Sequence, residues 1–166
     1  MWGEDGLGDD LGAEIWSWAV EEEAMPLRRM RGSPPPRTQS LTLDSEAEYH
    51  GILVEEGLSD LSILNAVTIL GRKRGADWSL LRVRLKGRML PSVIGRLQAS
   101  LKMENGVPFY AHFYRPGELI VVFPQRLFRM TPRKETWKEA TDYGKSVRIP
   151  VEQLDFAPCR FEDETF

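Results

Sequence analysis

Two histidines are the residues of this chain best suited to chemistry near neutral pH. His50 and His112 each lie in a segment that predicts a β-strand. If these strands are neighbours, both imidazoles face one site, with Glu55, Glu56 or Glu118 close by. Such a group would supply an acid–base pair, with His112 as the catalytic residue and His50 or Glu118 as its partner, or part of a metal site. Structural zinc sites usually have four ligands, commonly including cysteines, so histidines hydrogen-bonded at a sheet surface are the simpler interpretation.

A row of bases alternates with aliphatic residues in another predicted strand. Arg82, Arg84 and Lys86 would lie on one face at intervals of about 6.6 Å, close to the phosphate repeat of a nucleic-acid strand. Tyr110 and Tyr114, if they share this face, would add rings on which bases can stack. The pattern suggests binding of single-stranded nucleic acid or another polyanion. The chain lacks the signature of the common RNA-binding sheet, so a solvated strand face is the simpler alternative.

The single cysteine bears on both reactivity and compartment. Cys159 cannot form an internal disulfide, which is typical of a reducing cytosol. Arg160 beside it would lower the pKa of the thiol, but a nucleophilic role would also need a base such as His112 within reach. A packed, unreactive cysteine is the simpler interpretation. Residues 71–75 do not match the phosphate-loop pattern, and no apolar run approaches the roughly 20 residues that span a bilayer. We expect no cofactor, no metal and no membrane association.

The elements that must position these residues begin near residue 47. The segment Phe109–Met130 predicts two strands joined by a tight turn at residues 115–118, because aromatic and β-branched residues fill both arms and Pro and Gly occupy the reversal. The other predicted elements are strands at 49–55, 67–70 and 78–86, a short helix at 61–66 capped by Ser59 and Asp60, and helices at 90–101 and 134–147.

This order of elements predicts one α+β domain over residues 47–166. Leu81, Val83 and Leu85 should point inward beneath a helix, while the bases between them meet solvent. Two strand–helix–strand halves suit a ferredoxin-like two-layer sandwich, with an antiparallel or mixed sheet covered by helices on one face. Leu154 and two phenylalanines should anchor an irregular segment at the end.

Residues 1–46 have a different composition. Residues 1–24 carry eight acids and no base, and the prolines at 34–36 favour polyproline II, which buries little surface. We predict a disordered acidic and proline-rich leader. A start codon placed too far upstream would account for such a leader, with Met25 and Met30 as candidate internal starts.

The stretches YHGILVEEGLSDLSIL, FYAHFYRPGELIVVF, TWKEATDYGKS and IPVEQLDFAPCRFEDE resemble a family of small uncharacterised prokaryotic proteins. The resemblance covers residues 49–166 and implies a compact cytosolic domain, without assigning a catalytic residue. Because no catalytic or cofactor motif is present, the sequence predicts a non-catalytic binding or interaction domain. The sequence leaves two partners possible: a second copy of the chain, bound through the sheet to form a homodimer, and a nucleic acid.

Overall fold

The computed structural model describes residues 44–166, so the predicted leader up to residue 43 lies outside the described residues. The described part forms a six-stranded sheet, two α-helices and a two-stranded hairpin, which confirms the α+β class. The elements are β1 (Glu48–Val54), β2 (Thr68–Arg74), β3 (Ser79–Lys86), α1 (Leu90–Ser100), β4 (Met103–Glu104), β5 (Val107–Pro108), β6 (Ala111–Arg115), β7 (Glu118–Val122), β8 (Leu127–Met130) and α2 (Lys138–Ser146).

The large sheet has the strand order β2-β3-β1-β6-β7-β8, and every neighbouring pair is antiparallel. The predicted turn between β6 and β7 is present: Arg115 pairs with Glu118, and Gly117 between them has φ +79°. A residue with a side chain rarely adopts that φ, so glycine is favoured at this position. This turn fixes the register of the two strands across the middle of the sheet.

One face of the sheet packs against α1 and is called the α1 face. Leu81, Val83 and Leu85 of β3 are buried there against Leu90 and Val93 of α1. The prediction that these three aliphatic side chains point inward beneath a helix is confirmed. The alternation of apolar and basic residues was sufficient for it, because side chains on a strand alternate between the two faces.

The opposite face is covered as well, so the prediction that helices cover only one face is wrong. His50, Ile52, His112 and Tyr114 lie on this second face, which packs against α2 and residues 149–166 and is called the tail face. Strand β7 is buried at all five positions. A strand buried on both sides has a continuous apolar run, as in ELIVV, whereas a half-exposed strand would alternate.

The narrower prediction of a ferredoxin-like sandwich is not confirmed, because six antiparallel strands lie between helices on opposite faces. Strand β2 continues through the predicted stop at Gly71, with an irregularity in its pairing at that point. The predicted helix at 134–147 is a 3-10 turn at Lys134–Thr136 followed by α2. Within residues 44–166, no helix has the length and apolar character needed to cross a bilayer.

Candidate functional site

A cleft with a volume of about 460 Å³ opens on the tail face. This volume is within the range of small-molecule sites, which are mostly apolar with a few polar groups. The apolar part of its wall consists of Ile52, Val54, Trp78, Leu80, Val107, Pro108, Phe109, Tyr110, Ile149, Pro150 and Ala157. We refer to this hollow as the cleft.

One side of the cleft is formed by the hairpin of β4 and β5. Asn105 and Gly106 connect its strands with φ values of 52° and 79°. An Asn-Gly pair with positive φ at both residues is the preferred two-residue hairpin turn. The hairpin places Glu104, Asn105 and Val107 on the cleft wall. The Asn-Gly dipeptide was a usable sequence signal for this hairpin, which is not among the elements predicted above.

The other side of the cleft is the chain that follows α2. Leu154 is buried against Gly144 of α2, so close that a Cβ on Gly144 would lie 2.4 Å from Leu154 Cδ2. Phe156 is fully buried and packs edge-on against the Trp137 ring, with centroids 5.4 Å apart. The Tyr110 hydroxyl donates a hydrogen bond to the Gln153 carbonyl. These contacts confirm that the irregular segment packs down, and they fix its position beside the sheet.

His112 lies in the wall of the cleft and is buried. Its Nε2 is 2.9 Å from the Pro158 carbonyl oxygen. Burial lowers the pKa of His112 to about 4, although Pro158 and the charge of Asp155 act in the opposite direction. The imidazole is therefore neutral at pH 7. Because a carbonyl can only accept, Nε2 carries the proton, and Nδ1 keeps its lone pair.

The carboxylates predicted near His112 lie elsewhere. Glu118 is on the α1 face, where it accepts hydrogen bonds from Tyr49, Arg115 and Arg129. Glu56 accepts from the Ser79 amide at 2.7 Å, and Glu55 pairs with Arg72. The structure therefore does not bring Glu118 to His112.

His50 shares the tail face with His112, and the Tyr114 ring lies near both, with centroids 6.2 and 5.9 Å away. The carboxylates that contact His50 are Glu164, 2.5 Å from Nδ1, and Glu48, 3.2 Å from Nε2. Sequence analysis missed both. The signal for Glu48 was its position two residues from His50 on one strand, whereas no local pattern could have indicated Glu164.

The predicted basic row is divided between two environments. Arg82 is mostly buried and pairs with Glu164 at 3.2 Å, while Arg84 and Lys86 are exposed. Tyr114 is fully buried and donates to Glu164 at 2.8 Å. Tyr110 packs against Phe123 and Phe156 in the tail-face core. The two tyrosine rings share a face with Arg82, but Tyr114 is fully buried and Tyr110 is half-buried in the cleft wall, so they do not form an open platform for successive bases.

Cys159 is buried, with its Sγ 3.9 Å from the Pro132 carbonyl. Burial raises the pKa of the thiol, and Asp163 adds to this effect, which outweighs the opposing charge of Arg160. A thiol that stays protonated is a weak nucleophile. In the described part of the chain, no group of three or more histidine, cysteine, aspartate or glutamate side chains is arranged to hold a metal ion.

Two carboxylates belong to the lining of the cleft. They are Glu104 and Asp155, and both are exposed. A second, more polar hollow adjoins it along Trp78, Glu104, Asn105 and Phe109, and this hollow also contains Glu56 and Asp77. Asp155 is close enough to contribute, after burial, to a raised pKa of Tyr110. The cleft thus combines an apolar interior with a negative rim.

Comparison with protein families, curated proteins and solved structures gives no match to this chain. The resemblance to a prokaryotic family therefore stays a prediction, and the argument for function depends on the geometry of the site.

Proposed function

We propose that this protein is a non-catalytic cytosolic binding domain whose cleft takes a small, mainly apolar molecule. The observation that carries the proposal is the cleft of about 460 Å³ with aromatic and aliphatic walls. Its wall is formed by β1, β3, β6, the hairpin and residues 149–157. Four residues of this wall, Ile52, Val54, Leu80 and His112, lie in strands of the packed sheet and need no further ordering when a ligand binds, which lowers the entropic cost of binding.

Binding is favoured over acid–base catalysis by the state of His112. A base with a pKa of about 4 removes protons poorly at neutral pH. Its Nε2 already bonds to Pro158, and Glu118, its predicted partner, lies on the α1 face. A neutral imidazole with a lone pair on Nδ1 is suited to orienting a ligand that carries an N–H or O–H donor.

Polyanion binding is the less favoured alternative. Glu164 pairs with Arg82, and the Phe166 ring lies 5.7 Å from the Arg82 guanidinium. Residues 164–166 therefore occupy the position beside Arg82 that a phosphate and a base of a nucleic acid would need. Arg84 and Lys86 are exposed, but two separate cations beside a covered face provide few phosphate contacts.

The proposal is tested with indole as a neutral aromatic probe, by following backbone amide signals of the ¹⁵N-labelled protein during titration. We expect shifts concentrated on cleft residues and a Kd on the order of 1 mM, typical of a small fragment in an apolar pocket. Val54→Trp should abolish these shifts by filling the cleft. Val151→Trp is the matched control, because Val151 is 58 % exposed and outside the cleft lining.

Indole shifts scattered over the surface, or shifts unchanged in a folded Val54→Trp variant, would exclude the cleft as the binding site. A thermal melt of each variant establishes that the domain remains folded.

A further inference from the structure

Among the described residues, the charged groups that line the cleft are acidic: Glu104 of the β4–β5 hairpin and Asp155 of the segment after α2. Residues 44–166 contribute no lysine or arginine to this lining, and His112 is neutral at pH 7. An apolar cavity with carboxylates at its opening has a negative potential, because charges near a low-dielectric wall are screened less than in open water.

The negative region continues into the adjoining hollow. Three of its residues are acids (Glu56, Asp77 and Glu104), and within the part of the chain that the structure describes Lys102 is the one base that lines it. The Lys102 ammonium donates to the Glu56 carbonyl at 3.0 Å, so it is directed at backbone. On the other side, Lys134 is 3.7 Å from Asp155 and offsets part of its charge, so the negative potential depends mainly on Glu104 and the acids of the adjoining hollow.

His112, a lining residue of the cleft, also favours a ligand that donates a hydrogen bond. Nε2 of His112 is bonded to Pro158, so Nδ1 is an acceptor, and the residue is only 4 % exposed. A ligand that enters with an anionic group would meet carboxylates at the rim and a lone pair within. A ligand with a protonated amine would meet complementary charge at the rim.

We propose that the cleft selects a small monocation, a protonated amine attached to a flat apolar body. The body lies between Trp78 and Phe109 on one side and Ile52 and Leu80 at the sheet, while the ammonium group faces Glu104 and Asp155. This inference rests on the proposed binding function, and it adds the charge of the ligand.

The test compares three probes with the same ring: indole, tryptamine and indole-3-acetate, which are neutral, cationic and anionic at pH 7. Each is titrated into the full-length ¹⁵N-labelled protein at low salt. We expect tryptamine to bind about threefold to tenfold more tightly than indole, as exposed carboxylates allow, and indole-3-acetate to bind more weakly than indole. The advantage of tryptamine should shrink in 0.5 M salt, because screening weakens exposed charge pairs.

The variant Glu104→Gln/Asp155→Asn should remove the preference for tryptamine, measured as the ratio of tryptamine to indole affinity within the same variant. Both side chains are exposed, so the substitutions should not unfold the domain. Glu139→Gln, an exposed carboxylate on α2 outside the cleft lining, is the matched control and should keep the preference.

Equal binding of all three probes, or tighter binding of indole-3-acetate, would overturn the charge selectivity while the binding function stands. A preference that persists in the double variant would equally overturn the assignment to Glu104 and Asp155. Failure of all three probes to reach the cleft would refute the binding function itself.

Discussion

The ion cluster around Glu118 gives a sharp test of how the sheet is stabilised. Tyr49 donates to Glu118 Oε2 at 2.7 Å, Arg115 Nε donates to the same oxygen at 2.8 Å, and Arg129 Nε donates to Oε1 at 2.9 Å. The Glu118 side chain is 11 % exposed, and the two arginines are about 30 % exposed. The substitution Glu118→Gln keeps the shape and removes the charge, so it leaves two arginines without their counter-ion.

The expected loss in the free energy of unfolding follows from the number and kind of hydrogen bonds that Glu118 accepts. A hydrogen bond to a charged group contributes about 1.5–3 kcal/mol, and breaking a fully buried ion pair costs about 3–5 kcal/mol. Because the arginines are partly exposed, we expect Glu118→Gln to lower the free energy of unfolding by about 3 kcal/mol. In urea this corresponds to a midpoint lowered by roughly 2 M for a domain of this size. Tyr49→Phe, which removes one donor, should cost about 1 kcal/mol.

The destabilisation caused by Glu118→Gln should depend on pH, and the direction of this dependence follows from the pKa of Glu118. Burial alone would raise the pKa of Glu118, but the bonds from Tyr49, Arg115 and Arg129 outweigh it and hold the pKa below the ordinary 4.5. A lowered native pKa stabilises the fold above the pKa of the unfolded chain, and this contribution is lost as the pH falls. The difference between wild type and Glu118→Gln should therefore be full at pH 7 and shrink below pH 4.5.

The measurement is urea unfolding followed by circular dichroism, with Glu139→Gln as the control for loss of an exposed carboxylate. The control should change the free energy of unfolding by less than about 0.5 kcal/mol. A loss below about 1 kcal/mol for Glu118→Gln, or a loss that does not shrink in acid, would refute the reasoning.

Three further predictions concern the tail face. The free energy of unfolding should fall by roughly 3 kcal/mol between pH 6.5 and pH 4, because burial keeps His112 neutral in the folded state while the unfolded chain binds a proton at this residue. Urea unfolding of His112→Gln should lack this pH-dependent component. Gly144→Ala should lower the free energy of unfolding by about 1–3 kcal/mol, because its Cβ would overlap Leu154, and limited proteolysis should then cut residues 149–157 faster. Tyr114→Phe and Glu164→Gln should show a coupling energy of about 1 kcal/mol in a double-mutant cycle, whereas additive effects would exclude their hydrogen bond.

Much of the fold could be predicted because the relevant signals are local. The alternation in β3 predicted which residues are buried, and the 3.6-residue period predicted α1. The incorrect prediction was that helices cover only one face of the sheet. The segment ELIVV is apolar at both parities, and this indicated burial on two sides. Because side chains alternate between the two faces of a strand, the sequence also indicated that two predicted site residues lie apart. A two-residue turn pairs Arg115 with Glu118 and His112 with Val121, which places His112 and Glu118 on opposite faces.

The cleft could not be predicted in this way. Its hairpin had a local signal in Asn105-Gly106, but its other wall depends on where residues 149–157 return to the sheet. That segment has no strand or helix periodicity. Its position follows from Leu154 and Phe156 packing against α2 and β6, which are contacts between residues far apart in the chain.

The sequence alone determined the α+β class, the parity of β3, β6 and β7 and the identity of the residues able to carry charge or protons. Only the tertiary structure decided which of them meet. The alternation of a strand and the period of a helix extend over a few residues, so both can be recognised in the sequence. The ion pair of Glu164 with Arg82 and the position of Asp155 beside the cleft form only when distant segments pack together. The charge of a side chain is a local property, but its pKa and its partners depend on burial, and burial is a property of the packed molecule.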